Sequence, residues 1–136
     1  MNLDKYKHQH SAILDSIRAL KTFSKLGIAE HAADIARHVI EMSSVIKLHL
    51  AIEDRFLYPA LQQRGDPALA GMGRQYQHEM AQIAQAYGAF AKKWNDAGNV
   101  AGDPEGFRAE ANRVLKLLHA RVLRENRDFY PLIEQS

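Results

Sequence analysis

The sequence predicts an all-α protein, an up-down-up-down four-helix bundle, and three observations carry that expectation. Helix breakers cut the chain into four stretches: Gly27, the Arg64-Gly65-Asp66-Pro67 cluster, and the run from Asn95 to Pro104 containing Gly98, Gly102 and Asp103. The stretches between them are rich in Ala, Leu, Ile, Arg, Lys, Glu and Gln and lack β-branched runs, which suits them to helix. Apolar residues recur at three- and four-residue intervals, the spacing that gives a helix one face to bury. Four such helices joined by short loops pack antiparallel to their neighbours.

The first helix is expected over residues 4–26, with His10, Ile13, Leu14, Ile17 and Leu20 on one stripe. The second is expected over 30–63, with Val45, Leu48, His49, Ile52, Phe56 and Ala60 as its stripe. Pro59 has no amide hydrogen to give, so a kink or a frayed last turn is expected there, and again at Pro131. The third helix, 67–95, opens on Asp66 as N-cap with Pro67 in its first turn. Its aromatic stripe (Tyr76, Ile83, Tyr87, Phe90, Trp94) lies nearly opposite His78. Periodicity favours the aromatic face inward and His78 outward. The other arrangement turns the small, polar His78 face toward a polar site. The fourth helix, 104–134, repeats the Asp-Pro start at Asp103 and Pro104 and carries Leu118, Val122, Phe129 and Leu132 on one stripe.

A chain of 136 residues is expected to form one domain, 1–136, with a sizeable core. A net charge of +2 and the lack of any run of like charges give no case for nucleic acid or an anionic membrane. No stretch approaches the ~18 apolar residues of a membrane span, and the N-terminus lacks the apolar run of a signal peptide, so cytoplasm is the expected location. The absence of cysteine excludes disulfides, thiolate zinc sites and iron–sulfur clusters. Imidazole and carboxylate are then the metal-binding groups at hand. Histidine is unusually frequent, at positions 8, 10, 31, 38, 49, 78 and 119.

The segment from His49 through Glu53 to Tyr58-Pro59 nearly recurs as Arg121 through Glu125 to Tyr130-Pro131. In the first copy His and Glu stand four apart, about 40° from each other on a helix, so both enter the bundle together. A His and a carboxylate aimed inward are what a first-row metal needs. The bland alternative is a buried His–Glu hydrogen bond. His10, alone on an apolar stripe, reads either as a hydrogen-bonded core residue or as a ligand. Glu125 needs a partner near its stripe, either a metal or Arg121 one turn earlier. His8 reads as solvated, His31 as a helix-end residue and His38 as a boundary residue about 16 Å along the helix from His49. Tyr58 and Tyr130 read as residues near the floor of the site or as helix-end packing. Collected from several helices, these groups make a metal site more persuasive than any of them does alone.

His10 with Ile13 and Leu14, then His49-x-x-x-Glu53-Asp54-x-x-Leu57-Tyr58-Pro59, then His78-Glu79, then Glu125-Asn126-x-x-Phe129-Tyr130-Pro131 resembles the hemerythrin-like (HHE cation-binding) domain over essentially the whole chain. The resemblance implies a four-helix bundle around a non-haem di-iron centre. It implies His10, His49, Glu53, His78 and Glu125 as ligands, Glu53 and Glu125 bridging the irons. It also implies a role in sensing or handling oxygen, nitric oxide or iron, with a small diatomic as the bound partner. Arg121 stands where the family's last His is expected. His119 is about 160° round the helix from it and could serve only if that helix is bulged or shifted in register. The third helix has Arg74 and Gln82, not a second His, at four residues from His78. Ligand type alone does not separate iron from zinc or another divalent metal. The rival expectation is a metal-poor bundle acting as an interaction or dimerisation module, its docking surface the aromatic face of the third helix if His78 points inward. A homodimer or another protein partner is left open.

Overall fold

A computed structural model describes residues 1–136, and it contains helices and no strand. Helix α1 spans Asp4–Leu26. Helix α2 begins as Ala32–Ile52, widens into a π-turn at Glu53–Leu57 and continues as Tyr58–Gln62. Helix α3 spans Pro67–Trp94 and a short α4 spans Ala97–Gly102. Helix α5 begins as Pro104–Arg124, passes through a second π-turn at Glu125–Phe129 and ends as Tyr130–Gln135.

The helix starts follow local chemistry. Asp66 accepts a hydrogen bond from the Leu69 amide (3.1 Å) and Asp103 one from the Gly106 amide (3.0 Å), each with proline next in the chain. Such caps contribute about 1 kcal/mol each. α4 was not expected from the sequence, because its Gly and Asn residues read as breakers. Asp96 caps it through the Asn99 amide, and Val100 anchors it in the core.

The buried stripe of α2 is Ile35, Val39, Met42, Ile46, His49, Glu53, Leu57 and Leu61. The expected stripe was rotated by about one residue, so Leu48 and Phe56 are exposed; Leu132 on α5 is exposed as well. α3 turns Tyr76, Tyr87, Phe90 and Trp94 inward. Two of these carry polar ends that find partners, Tyr87 Oη donating to the Val39 carbonyl (2.7 Å) and Trp94 Nε1 to Glu110 (2.6 Å). With its aromatic face buried, α3 does not offer the docking surface that the rival expectation required.

The core is divided in two. A large cluster is built from Ile13, Ile17, Leu20, Val39, Met42, Ile46, Tyr87, Phe90, Trp94, Phe107 and Leu118, among others. A smaller one at the opposite end joins Leu3, Tyr6, Leu57, Tyr58, Leu61, Leu69, Tyr76, Phe129, Tyr130 and Ile133. Near the boundary between them the chain buries polar side chains: Gln9, His10, His49, Glu53, Arg121 and Glu125.

Candidate metal centre

Each element aims its polar group for a definable reason. His49 and Glu53 share a face of α2 through their four-residue spacing, and their facing atoms approach to 3.3 Å. His10 and Gln9, adjacent on α1, are both buried, so one helix contributes an imidazole and its neighbour's amide to the same layer. The π-turns do the rest. The Tyr58 amide bonds to the Glu53 carbonyl and the Tyr130 amide to the Glu125 carbonyl, five residues back in each case. Such a turn brings residues five apart onto nearly one face, whereas regular helix would leave them about 140° apart. Glu53 and Tyr58 are therefore buried together, as are Glu125 and Tyr130. The wide turn also accommodates the proline that follows, whose ring would collide with the carbonyl four residues back. Instead of fraying at Pro59 and Pro131, both helices continue.

The imidazoles are oriented from behind. His10 Nδ1 faces Asn126 Oδ1 at 2.7 Å and His49 Nδ1 faces Gln9 Oε1 at 2.7 Å. Amide oxygens accept, so each Nδ1 carries a hydrogen and each Nε2 is left to the centre. The two Nε2 atoms lie 3.1 Å apart, with Glu125 Oε1 3.0 Å from that of His10. One donor atom each from His10, His49 and Glu125 falls within 4.8 Å of the others. Tyr130 Oη donates to Glu53 Oε2 (3.2 Å), and its ring stacks on His10 with centroids 5.1 Å apart.

This donor set is short of a cation. Glu53 Oε1 and Tyr58 Oη are buried without a hydrogen-bond partner, and Glu125 Oε2 has only the Arg121 guanidinium, at 3.5 Å. Leaving such groups unsatisfied is costly, and a pair of imidazole nitrogens facing each other adds to the cost unless something positive sits between them. Two imidazoles and two carboxylates form a donor set that suits a borderline divalent ion, and binding one would satisfy them together.

Titration behaviour follows from the same crowding. Burial works against charge on His10, but hydrogen bonding to Glu125 and the Glu125 and Glu53 charges leave its pKa raised. Burial and the neighbouring His10 lower His49 to about 4. Burial, then the Glu125 charge, raise Glu53 well above its ordinary 4.5. Burial raises the Tyr58 and Tyr130 phenols, and Glu53 and Glu125 push them further in the same direction. Without metal, a proton on His10 Nε2 can stand where a cation would.

A raised carboxylate pKa favours folding below the unfolded value, about 4.5, and that contribution disappears as pH rises through the folded value. Metal-free protein is therefore expected to lose stability relative to Glu53→Gln as pH rises from about 5 to 8. The depressed His49 has the opposite sign, losing stability as pH falls from 6.5 through about 4, and adds no slope above that range, whereas the raised His10, supported in part by the Glu53 charge, adds to the loss in the parent protein. Urea unfolding of the pair across that range is the check, and parallel curves would refute the burial argument. The same variant is expected to bind metal more weakly, since it trades a carboxylate for an amide.

Arg121 is 3% exposed and lies on the far side of Glu125. Its Nε sits 3.5 Å from Glu125 Oε2 and its Nη1 donates to Glu79 Oε2 at 2.9 Å. Nη2 donates to the Tyr76 carbonyl, and the guanidinium lies 4.3 Å above the Tyr76 ring. Two proposed ligands are placed elsewhere. His78 is exposed on α3 beside Gln82, as helical periodicity favoured and the resemblance did not. His119 is half-buried in a surface groove between α1 and α5, lined also by Leu20, Lys21, Arg108 and Leu115. No bulge turns it inward, because the π-turn begins only at Glu125. Gln9 and Asn126 were missed; their only sequence signal is adjacency to His10 and Glu125.

The fold and this layer together define a class: a helical bundle with a buried cluster of His and carboxylate groups, of metal-ligating type, in its core. Residues 1–133 match the family model described as the hemerythrin HHE cation binding domain. The chain belongs to that family. Neither the curated proteins nor the solved structures provide a significant match. No helix is long and apolar enough to cross a membrane.

Proposed function

We propose that the protein binds non-haem iron in the bundle core through His10, His49, Glu53 and Glu125, and uses it to sense or handle oxygen, nitric oxide or iron itself. The observation that carries this reading is a buried, unpartnered Glu53 oxygen and the Glu125 Oε1 atom beside two imidazoles whose Nε2 atoms are freed by their amide anchors. Iron bound there would supply an open coordination position for a small diatomic. The chain's own part is to hold the donors, keep water out and govern protons. Leu57, Phe129 and Tyr6 belong to the apolar cluster below the layer. Tyr130 Oη, bonded to Glu53, is a donor that can follow charge at the centre. Gln9 and Asn126 keep the imidazoles aimed, a role that in metal sites typically contributes 10- to 100-fold, as an order of magnitude, to affinity.

Loading is the test. Ferrous iron added anaerobically to metal-free protein is expected to be retained through gel filtration and to raise the melting temperature. At a free-iron concentration about 1,000 times the Kd, linkage gives roughly 4 kcal/mol. Retention of no iron, with an unchanged melting temperature, would reject the reading.

A further inference from the structure

Glu125 faces two ways. Its Oε1 is 3.0 Å from His10 Nε2, on the side that carries both imidazoles, and its Oε2 is 3.5 Å from the Arg121 guanidinium. A second metal ion on that far side would need Glu125 Oε2 and donors from α3 and α5. Those donors are already committed. Glu79 Oε2 and the Tyr76 carbonyl both accept from Arg121, and the Tyr76 ring covers the guanidinium face. No imidazole stands in their place: His78 is exposed, lining a pocket with Asp54, Tyr58 and Gln77, and His119 lines the groove between α1 and α5. What α3 buries near this level is Tyr76, whose ring is covered by the Arg121 guanidinium, and Met80, whose thioether is a soft ligand.

From this we infer that the centre holds one divalent ion, not a pair, and that Arg121 is a built-in second cation occupying the other half of the site. The inference rests on the iron-binding reading above. The charge balance agrees with it. One divalent ion matches the two carboxylates that face the imidazoles, Glu53 and Glu125, while Glu79 is already paired with Arg121 and Arg124. A second divalent ion would add two uncompensated positive charges beside a guanidinium that cannot lose its proton. An ion on the imidazole side keeps two His and two carboxylate donors. Arg121 also holds one oxygen of Glu125 away from that ion, which leaves coordination positions open.

The experiment counts metal and reads its magnetism. Full-length protein is loaded anaerobically with excess ferrous iron, freed of loose metal by gel filtration, and analysed for iron per chain. A sample is then oxidised for electron paramagnetic resonance. One iron per chain with the half-integer-spin signal of an isolated ferric ion is expected. Two irons per chain, with that signal lost to coupling within a pair, would overturn the inference while leaving the iron-binding reading intact. No iron at all would remove the reading beneath it. Arg121→His supplies an imidazole and frees Glu79 and Glu125. This variant is expected to take up a second iron with loss of the isolated-ion signal; a folded variant that stops at one would overturn the role given to Arg121. If it does not fold, the wild-type count and spectrum decide the matter.

Discussion

His49→Ala is expected to abolish iron retention, lowering affinity by more than the roughly 100-fold upper range seen when only a ligand's hydrogen-bond partner is lost. His8→Ala is expected to bind as wild type does. The two histidines differ in surroundings, not in chemistry. His49 is 1% exposed, anchored at Nδ1 by Gln9, and its Nε2 lies within 3.3 Å of both His10 Nε2 and Glu53 Oε1. His8 is exposed on the same helix as His10. Removing His49 takes one of two imidazoles from the centre and leaves Gln9 Oε1 and a Glu53 oxygen facing a void. Circular dichroism should show both variants helical, because the apolar clusters on either side do not depend on His49. Equal iron retention by the two variants would refute the ligand assignment.

The second large effect concerns stability without metal. Arg121→Met is expected to cost about 3 kcal/mol, the penalty for removing one partner of a buried ion pair. For a chain of this size that corresponds to a fall in melting temperature of about 10 °C. Methionine restores volume but returns neither the charge at Glu125 nor the hydrogen bonds to Glu79 and the Tyr76 carbonyl. Arg124 is the control. It also reaches Glu79 (3.3 Å) and lies over the Tyr76 ring, but its side chain is 46% exposed. Arg124→Met should therefore cost less than about 1 kcal/mol. Similar melting temperatures for the two variants would mean that burial of Arg121 carries no special energy.

Much of this architecture was legible because it depends on local rules. The Asp-Pro starts at Asp66 and Asp103 and the four-residue step from His49 to Glu53 involve neighbours in sequence, and the structure keeps them. The α2 stripe was misplaced by about one residue because Leu48 and Phe56 are as apolar as the true core positions beside them. Periodicity cannot choose between two adjacent apolar rows. On α3 the choice was possible, since the aromatic row has only small and polar residues opposite it, and the structure has that row buried and His78 exposed. Arg121 could be seen as a partner for Glu125 one turn away, but Glu79 and Tyr76 are 42 and 45 residues distant in the chain. Nor could one-dimensional spacing reveal the amide anchors: Asn126 reaches His10 across 116 residues and Gln9 reaches His49 across 40. The π-turns were visible only as a proline problem, not as its solution.

The separation of the two core clusters by a polar layer has a consequence for when that layer comes into being. Tyr130 meets His10 across 120 residues, and the smaller cluster joins Leu3 and Tyr6 to Phe129 and Ile133. Contacts that close such long loops carry the largest entropic penalty and form late. The larger cluster draws on α1, α2, α3 and the first part of α5 and does not include those terminal residues. During synthesis, a nascent chain that still lacks α5 holds His10, His49 and Glu53 but has no Glu125 to complete the set. A cation site that includes Glu125 can therefore be completed only after the last helix has been made and docked.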